Sequence, residues 1–188
     1  MIWLCSDWHF NHNREFIWKA RGFESVAQMN EAIVERHNAL VDVEDDVYVL
    51  GDLCLGPDAE ANQALIERMN GRLHIIRGNH DTDYRIAMYL SCKNVVECNE
   101  DLWGKMIKYY KMHLFLSHFP TITGNLEKET LEQCTCNIFG HTHQNTQHYF
   151  DLPYTFHCGM DSHNCQPTSI DEAIAAMKAC ETQCRKEL

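Results

Sequence analysis

Histidine, aspartate and asparagine recur in this chain where short apolar runs end. Ile2-Trp3-Leu4-Cys5 leads into Asp7-Trp8-His9, and Val47-Tyr48-Val49-Leu50 leads into Gly51-Asp52. Leu73-His74-Ile75-Ile76 precedes Arg77-Gly78-Asn79-His80-Asp81, Leu114-Phe115-Leu116-Ser117 precedes His118, and Asn137-Ile138-Phe139 precedes Gly140-His141-Thr142-His143. Alternate residues of an extended segment face the same way, so Asp7 with His9, and His141 with His143, can each present two ligands together. Imidazole mixed with carboxylate suits Mn, Fe or Zn better than Ca, and no thiolate stands at these points to close a structural zinc site. The set is too large for one catalytic ion and suits two sharing a bridging carboxylate. Two ions ~3.5–4 Å apart can acidify a water held between them and clamp the oxygens of a phosphoester during in-line attack.

The apolar runs that deliver these residues read as strands. Between the first two, Asn11 to Arg21 reads as a loop with a short helix, and Ser25-Val26-Ala27-Gln28 has the form of a capping box opening a longer helix. Pro57-Asp58 opens another helix that ends near Met69, before Asn70-Gly71. Strand, helix, strand alternation predicts parallel pairing through right-handed crossovers, with the carboxyl ends of the strands at one edge. A short helix is expected from Tyr84 to Leu90. The closely spaced runs at Val95–Cys98, Met106–Tyr110 and His113–Leu116 predict a second, antiparallel sheet. Thr121 to Glu132 reads as a surface loop near the site, Tyr154 to Cys158 as a late strand, and Ser169-Ile170-Asp171-Glu172 as a capping box before a terminal helix.

A length of 188 residues with 45% hydrophobic composition predicts one domain, 1–188, with a sizeable core. The formal net charge of -11 argues against a protein that wraps long nucleic acid, which draws its affinity from Lys and Arg on phosphates. A small phosphate ester is the easier partner. The ten cysteines are scattered through strand-like and helix-like stretches, so reduced thiols in a cytoplasmic protein are expected. No run approaches the ~18 apolar residues of a membrane span, so no membrane partner is expected. The N-terminus shows no basic leader, and cleavage there would remove the first strand and its Asp7-His9 pair, which argues against secretion. Oligomeric state cannot be read from these features.

In their order, Asp-x-His, Gly-Asp, Gly-Asn-His-Asp, His and Gly-His-Thr-His, the motifs from Asp7 to His143 resemble those of the calcineurin-like metallophosphoesterase superfamily. The likeness is strongest to small, compact bacterial and phage members that begin Asp-x-His-Phe-x-His, here Asp7-Trp8-His9-Phe10-Asn11-His12. The resemblance implies an α/β fold, a four-layer α/β/β/α sandwich with the site at its edge. It implies that Asp7, His9, His143 and the bridging Asp52 hold one divalent ion, and that Asn79, His118, His141 and Asp52 hold a second. The ions would be Mn, Fe, Zn or Ni, with manganese favoured. It further implies attack of a metal-bridging hydroxide on a phosphomonoester or phosphodiester. His80 would assist the leaving group, a role that suits an imidazole able to exchange a proton near neutral pH.

One departure is that Gly51-Asp52-Leu53-Cys54-Leu55-Gly56 lacks the second Asp and the Arg that follow Gly-Asp in the protein Ser/Thr phosphatase branch. This argues against a phosphoprotein substrate and leaves Asp81 as the nearest candidate to orient His80. His12, Arg14 and Arg77 lie within or beside the motifs and could contact phosphate. His157, Asp161, His163 and Asn164 form a late polar cluster that reads as a loop hydrogen-bonding network rather than a metal site. Two alternatives to a general phosphoesterase are a nuclease acting on short nucleic acid and a metal-stabilised binding module with little catalysis.

Overall fold

Hydrophobic alternation builds the first sheet. In β1 (Ile2–Cys5), β2 (Asp46–Val49) and β3 (Arg72–Ile75), parallel pairing sets Trp3 beside Val47 and Leu73, and Cys5 beside Val49 and Ile75. These six side chains share one buried face, while Leu4, Tyr48 and His74 fall on the other. β4 (Val95–Glu97) continues the sheet in parallel beside β3, and β9 (Thr168–Ser169) closes the other edge antiparallel to β1. The computed structural model describes residues 1–123 and 130–186.

Among the described residues five α-helices accompany the strands: α1 (Glu15–Trp18), α2 (Val26–Asn38), α3 (Ala59–Ile66), α4 (Asp83–Ser91) and α5 (Ile170–Cys184). Ser25, Asp58, Thr82 and Ser169 cap α2, α3, α4 and α5, each side-chain oxygen accepting a backbone N–H of the first turn. The capping box is complete only at α5, where the Glu172 side chain reaches back to the Ser169 amide; Gln28 instead accepts from Glu24 N. Met29, Ile33 and Val34 of α2, Leu65 and Ile66 of α3, and Ile86 and Tyr89 of α4 pack on the Trp3-Val47-Leu73 face. α3 ends at Ile66, a turn short of Met69.

The second sheet, ordered β5 (Gly104–Tyr109), β6 (Met112–Ser117), β7 (Thr135–Phe139) and β8 (Thr155–His157), covers the opposite face of the first. Leu114, Leu116, Ile138 and Phe156 meet Leu4, Leu50 and Ile76 there, joined by Ile170, Ala173, Ile174 and Met177 of α5. The protein is thus a mixed α/β fold, two mixed sheets flanked by helices.

The predicted antiparallel second sheet is corrected in two ways. Val95–Glu97 follows α4, which makes β3-α4-β4 a crossover unit, so it joins the first sheet in parallel. Only the β5-β6 hairpin is antiparallel; β7 and β8 run parallel to β6, which turns the ends of β6 and β7 to the same edge. Of the loop expected from Thr121 to Glu132, residues 124–129 lie outside the described residues. Among the described residues no disulfide forms, and no helix is long and apolar enough to cross a membrane.

Candidate metal centre

Each strand that carries a motif stops just before its polar residues, and the backbone then turns sharply. Asp7, His9, Asp52, His141 and His143 all take positive φ, between 47° and 67°. Such angles are uncommon outside glycine but several-fold enriched for Asp, Asn and His, so the residue types match the turns demanded of them. The turns are tied to one another by Asp7 N to Gly51 O (3.0 Å), His9 N to Asp52 O (3.1 Å) and Gly140 N to His118 O (3.0 Å). Close approach is part of the arrangement: a Cβ on Gly140 would overlap Ser6 Oγ and lie 2.5 Å from Asp7 Oδ2.

The result is two groups of converging donor atoms. In the first, His9 Nε2 and His143 Nε2 are 3.1 Å apart and lie 3.7 and 3.8 Å from Asp7 Oδ1, with Asp52 Oδ2 4.0 Å from His9. In the second, Asn79 Oδ1 is 2.8 Å from both His118 Nε2 and His141 Nδ1, which are 3.2 Å from each other, and Asp52 Oδ2 is 3.5 Å from His118. Asp52 is common to both. Donors around one ion at ~2.0–2.2 Å must lie about this far apart. Asp7 Oδ1 is buried with no hydrogen-bond partner, which a cation between the first group would remedy. Asp7 with His9 and His143, and Asp7 with Asp52 and His118, are each close enough to hold an ion.

The residues behind the donors fix their orientation. His118 Nδ1 donates to Leu50 O at 2.7 Å, which leaves Nε2 as the free lone pair. His143 Nδ1 is 2.9 Å from Asp161 Oδ2, and that carboxylate also accepts Nε and Nη2 of Arg21, both at 3.0 Å. The Arg21 side chain is almost fully buried and donates further to the carbonyls of Asp7 and Trp8. Burial disfavours the ionised Asp161 carboxyl, yet His143 and Arg21 hold it well below the usual carboxylate range. Burial pushes His9 down to about 4, so the imidazole is neutral, the form that binds a cation. Burial raises the Asp52 carboxyl to about 6, with His118 opposing and Asp81 and Asp7 adding to the rise.

A family model described as the calcineurin-like phosphoesterase superfamily domain matches residues 1–155. The chain belongs to that superfamily. A protein of Methanocaldococcus jannaschii described as uncharacterized is 38% identical over 104 residues, which cover 53% of this chain and 59% of that protein. A crystal structure of a protein of unknown function from Aquifex aeolicus superposes with a TM-score of 0.68 at 22% identity, covering 92% of this chain and 96% of that one. That second likeness is one of fold.

Members of this superfamily are typically metal-dependent phosphoesterases, and the paired donor groups are the corresponding feature of this chain. The structure brings Asp7, His9, Asp52, Asn79, His118, His141 and His143 together, with His80 beside them. The His80 side chain is about half exposed; its Nε2 lies 3.9 Å from Asp52 Oδ2, and its backbone N–H donates to Asp52 Oδ1 at 2.9 Å. Asp81 does not orient it. Instead the Asp81 carboxyl turns beneath the loop and accepts from Asp52 N, Gly78 N and Tyr89 Oη, at 2.8, 2.8 and 2.7 Å.

Of the weaker candidates, His12 places Nδ1 3.2 Å from His9 Nδ1 and lines the cleft. Arg14 is exposed just before α1. Arg77 is engaged elsewhere, paired with Asp83 at 2.7 Å, donating to Glu100 O and lying over the Trp103 ring. The late polar cluster is divided. His163 Nε2 meets His157 O and His157 Nδ1 meets Ser162 Oγ, a loop network, whereas Asp161 reaches the centre. Reading the sequence missed Arg21 and undervalued Asp161, because 140 positions separate the partners and no local spacing links them.

Proposed function

We propose that the protein hydrolyses phosphoric esters, mono- or diesters, using two divalent transition-metal ions, manganese favoured, held by the two donor groups that share Asp52. The observation that carries this reading is the convergence of the two groups on Asp52 together with the unpartnered Asp7 Oδ1. Bound ions would neutralise phosphoryl oxygens and supply an acidified water as nucleophile. The chain's own part is positional and protonic. Asp52 spans the two groups, His12 and Asp161 steady His9 and His143 through their Nδ1 atoms, and His118 is aimed by Leu50 O. His80, held by its backbone but with an exposed ring, is free to give a proton to the departing oxygen. Arg14 is exposed just before α1 and does not line the cleft, and Arg77 is committed to Asp83.

The test is a metal-by-substrate matrix. Metal-free protein is reloaded with Mn, Fe, Zn or Ni, its metal content measured, and its activity followed on an aryl phosphate and the matching diester. Asp52→Asn is expected to abolish turnover, and His80→Ala to lower kcat by about 10²–10⁴-fold with metal content retained. Full activity after exhaustive chelation would refute the proposal.

A further inference from the structure

Phosphate hydrolysis by itself gives no reason for the apolar wall beside the centre. A cleft of about 470 Å³ is lined by His9, His12, His80 and His143. Phe16, Ile17, Ala20 and Leu55 line it as well and supply its apolar surface. Phe16 is 71% exposed, and its ring meets the edge of His12 at 5.7 Å. It does not hang from a loose loop, because its neighbour Ile17 is buried and Arg21, one turn on, is bonded to the Asp7 and Trp8 carbonyls. No lysine or arginine lines this cleft among the described residues; its one charged wall residue besides the histidines is Asp161.

We propose that this wall is the subsite for the substrate's organic group, and that the protein takes small phosphoesters carrying one phosphoryl unit on a planar apolar group. The inference rests on the phosphoesterase reading for the phosphoryl end and adds what lies beyond it. Each further phosphate would need cationic donors to replace its hydration, and the cleft offers none. A polyol such as a sugar would lose hydrogen bonds to water against Phe16 and Leu55 without replacing them. A flat ring gains on both counts, since it buries apolar area and can meet the Phe16 ring edge or face. The volume admits one such group beside the phosphoryl position.

The experiment uses two non-hydrolysable ligands, benzylphosphonate and ethylphosphonate, titrated calorimetrically into manganese-loaded protein. Benzylphosphonate is expected to bind about tenfold more tightly, the effect of covering one ring. Phe16→Ser should bring the two affinities within about twofold of each other. Phe16 is exposed, so the core is spared, and a thermal melt verifies the variant's fold. Equal wild-type affinities, no binding of either ligand, or a preference that survives Phe16→Ser would each overturn the subsite. Turnover of benzyl and ethyl phosphate, whose leaving alcohols are of similar acidity, reads the parent claim separately. Ring preference without turnover would refute the phosphoesterase reading and keep the subsite, and turnover without ring preference would do the reverse.

Discussion

Asp81 is the residue through which the two loops bearing Asp52 and Asn79 are fastened to the helical layer, and removing it gives a quantitative test of that arrangement. Its carboxyl is buried and accepts Asp52 N and Gly78 N through one oxygen and Tyr89 Oη through the other. In Asp81→Ala the tyrosine hydroxyl can turn to Cys54 Sγ, already 3.4 Å away, but the two backbone amides have no substitute. A buried donor left unpaired costs about 1–3 kcal/mol, so the pair costs roughly 2–6 kcal/mol, a large part of the ~5–15 kcal/mol that stabilises a typical domain. Asp81→Asn keeps an oxygen for both amides and turns its NH₂ toward the tyrosine oxygen, so its cost should be nearer ~1 kcal/mol. Denaturant unfolding of metal-free protein measures both. Because Asp52 and Asn79 would lose their common support, metal affinity should also fall, by about 10–100-fold in the alanine variant. An alanine variant within ~1 kcal/mol of wild type, or an asparagine variant equally damaged, would refute this account of the loops.

Three further outcomes are expected. Asp161→Ala leaves the buried Arg21 guanidinium unpaired and should lower unfolding free energy by about 3–5 kcal/mol; adding Arg21→Met should recover part of the loss, which chemical denaturation would register. Gly140→Ala forces a methyl group into Ser6 Oγ and Asp7 Oδ2, so metal stoichiometry at a fixed manganese concentration should drop even where a melt shows the protein folded. His37 is buried, and burial lowers it to about 4 against an opposing hydrogen bond to Asn70 O. With the folded value depressed, its contribution is complete above the unfolded value of ~6.5 and is lost as pH falls toward 4. The share of His37 in the loss of stability between pH 7 and pH 5 is about 2 kcal/mol, and His37→Gln should shrink the measured drop by about that amount.

What could be read in the sequence follows from how local each feature is. Asp7, His9, Asp52, Asn79, His80, His118, His141 and His143 each stand within a few residues of the strand that delivers them, so one stretch of chain displays both the group and its support. The capping serines Ser25 and Ser169 are legible for the same reason. Arg21 with Asp161 is a different case, since the pair meets only after β8 has brought Gly159 alongside Ser6. Asp81 misled because adjacency to His80 suggests contact. Thr82 caps α4 instead, and that entry into the helix directs Asp81 beneath the loop and away from the imidazole. The strand pairing of the second sheet was likewise hidden, because the parallel return from β6 to β7 depends on a long connection without a helical signature.

The backbone strain at the centre and the crowding of its donors have one cause. Bringing groups from five separate strand ends into two sets of close donors requires sharp turns, and after β1, β2 and β7 the left-handed conformation of Asp7, His9, Asp52, His141 and His143 supplies them. Each such residue costs about 1–3 kcal/mol, less where Asp or His tolerates the angle, and the approach of His9 Nε2 to His143 Nε2 adds repulsion when no cation lies between. None of this is offset inside the centre itself. It is held by what surrounds it: Gly51 O and Asp52 O accepting from the first loop, Asp81 gathering the second and third, and Arg21 locking Asp161 against His143. A cation entering such a site meets donors already in position, so little of its binding energy is spent on ordering the protein. The groups that shape this candidate centre are therefore the buried ones behind it, Asp81, Arg21 and Asp161, as much as the donors that would face an ion.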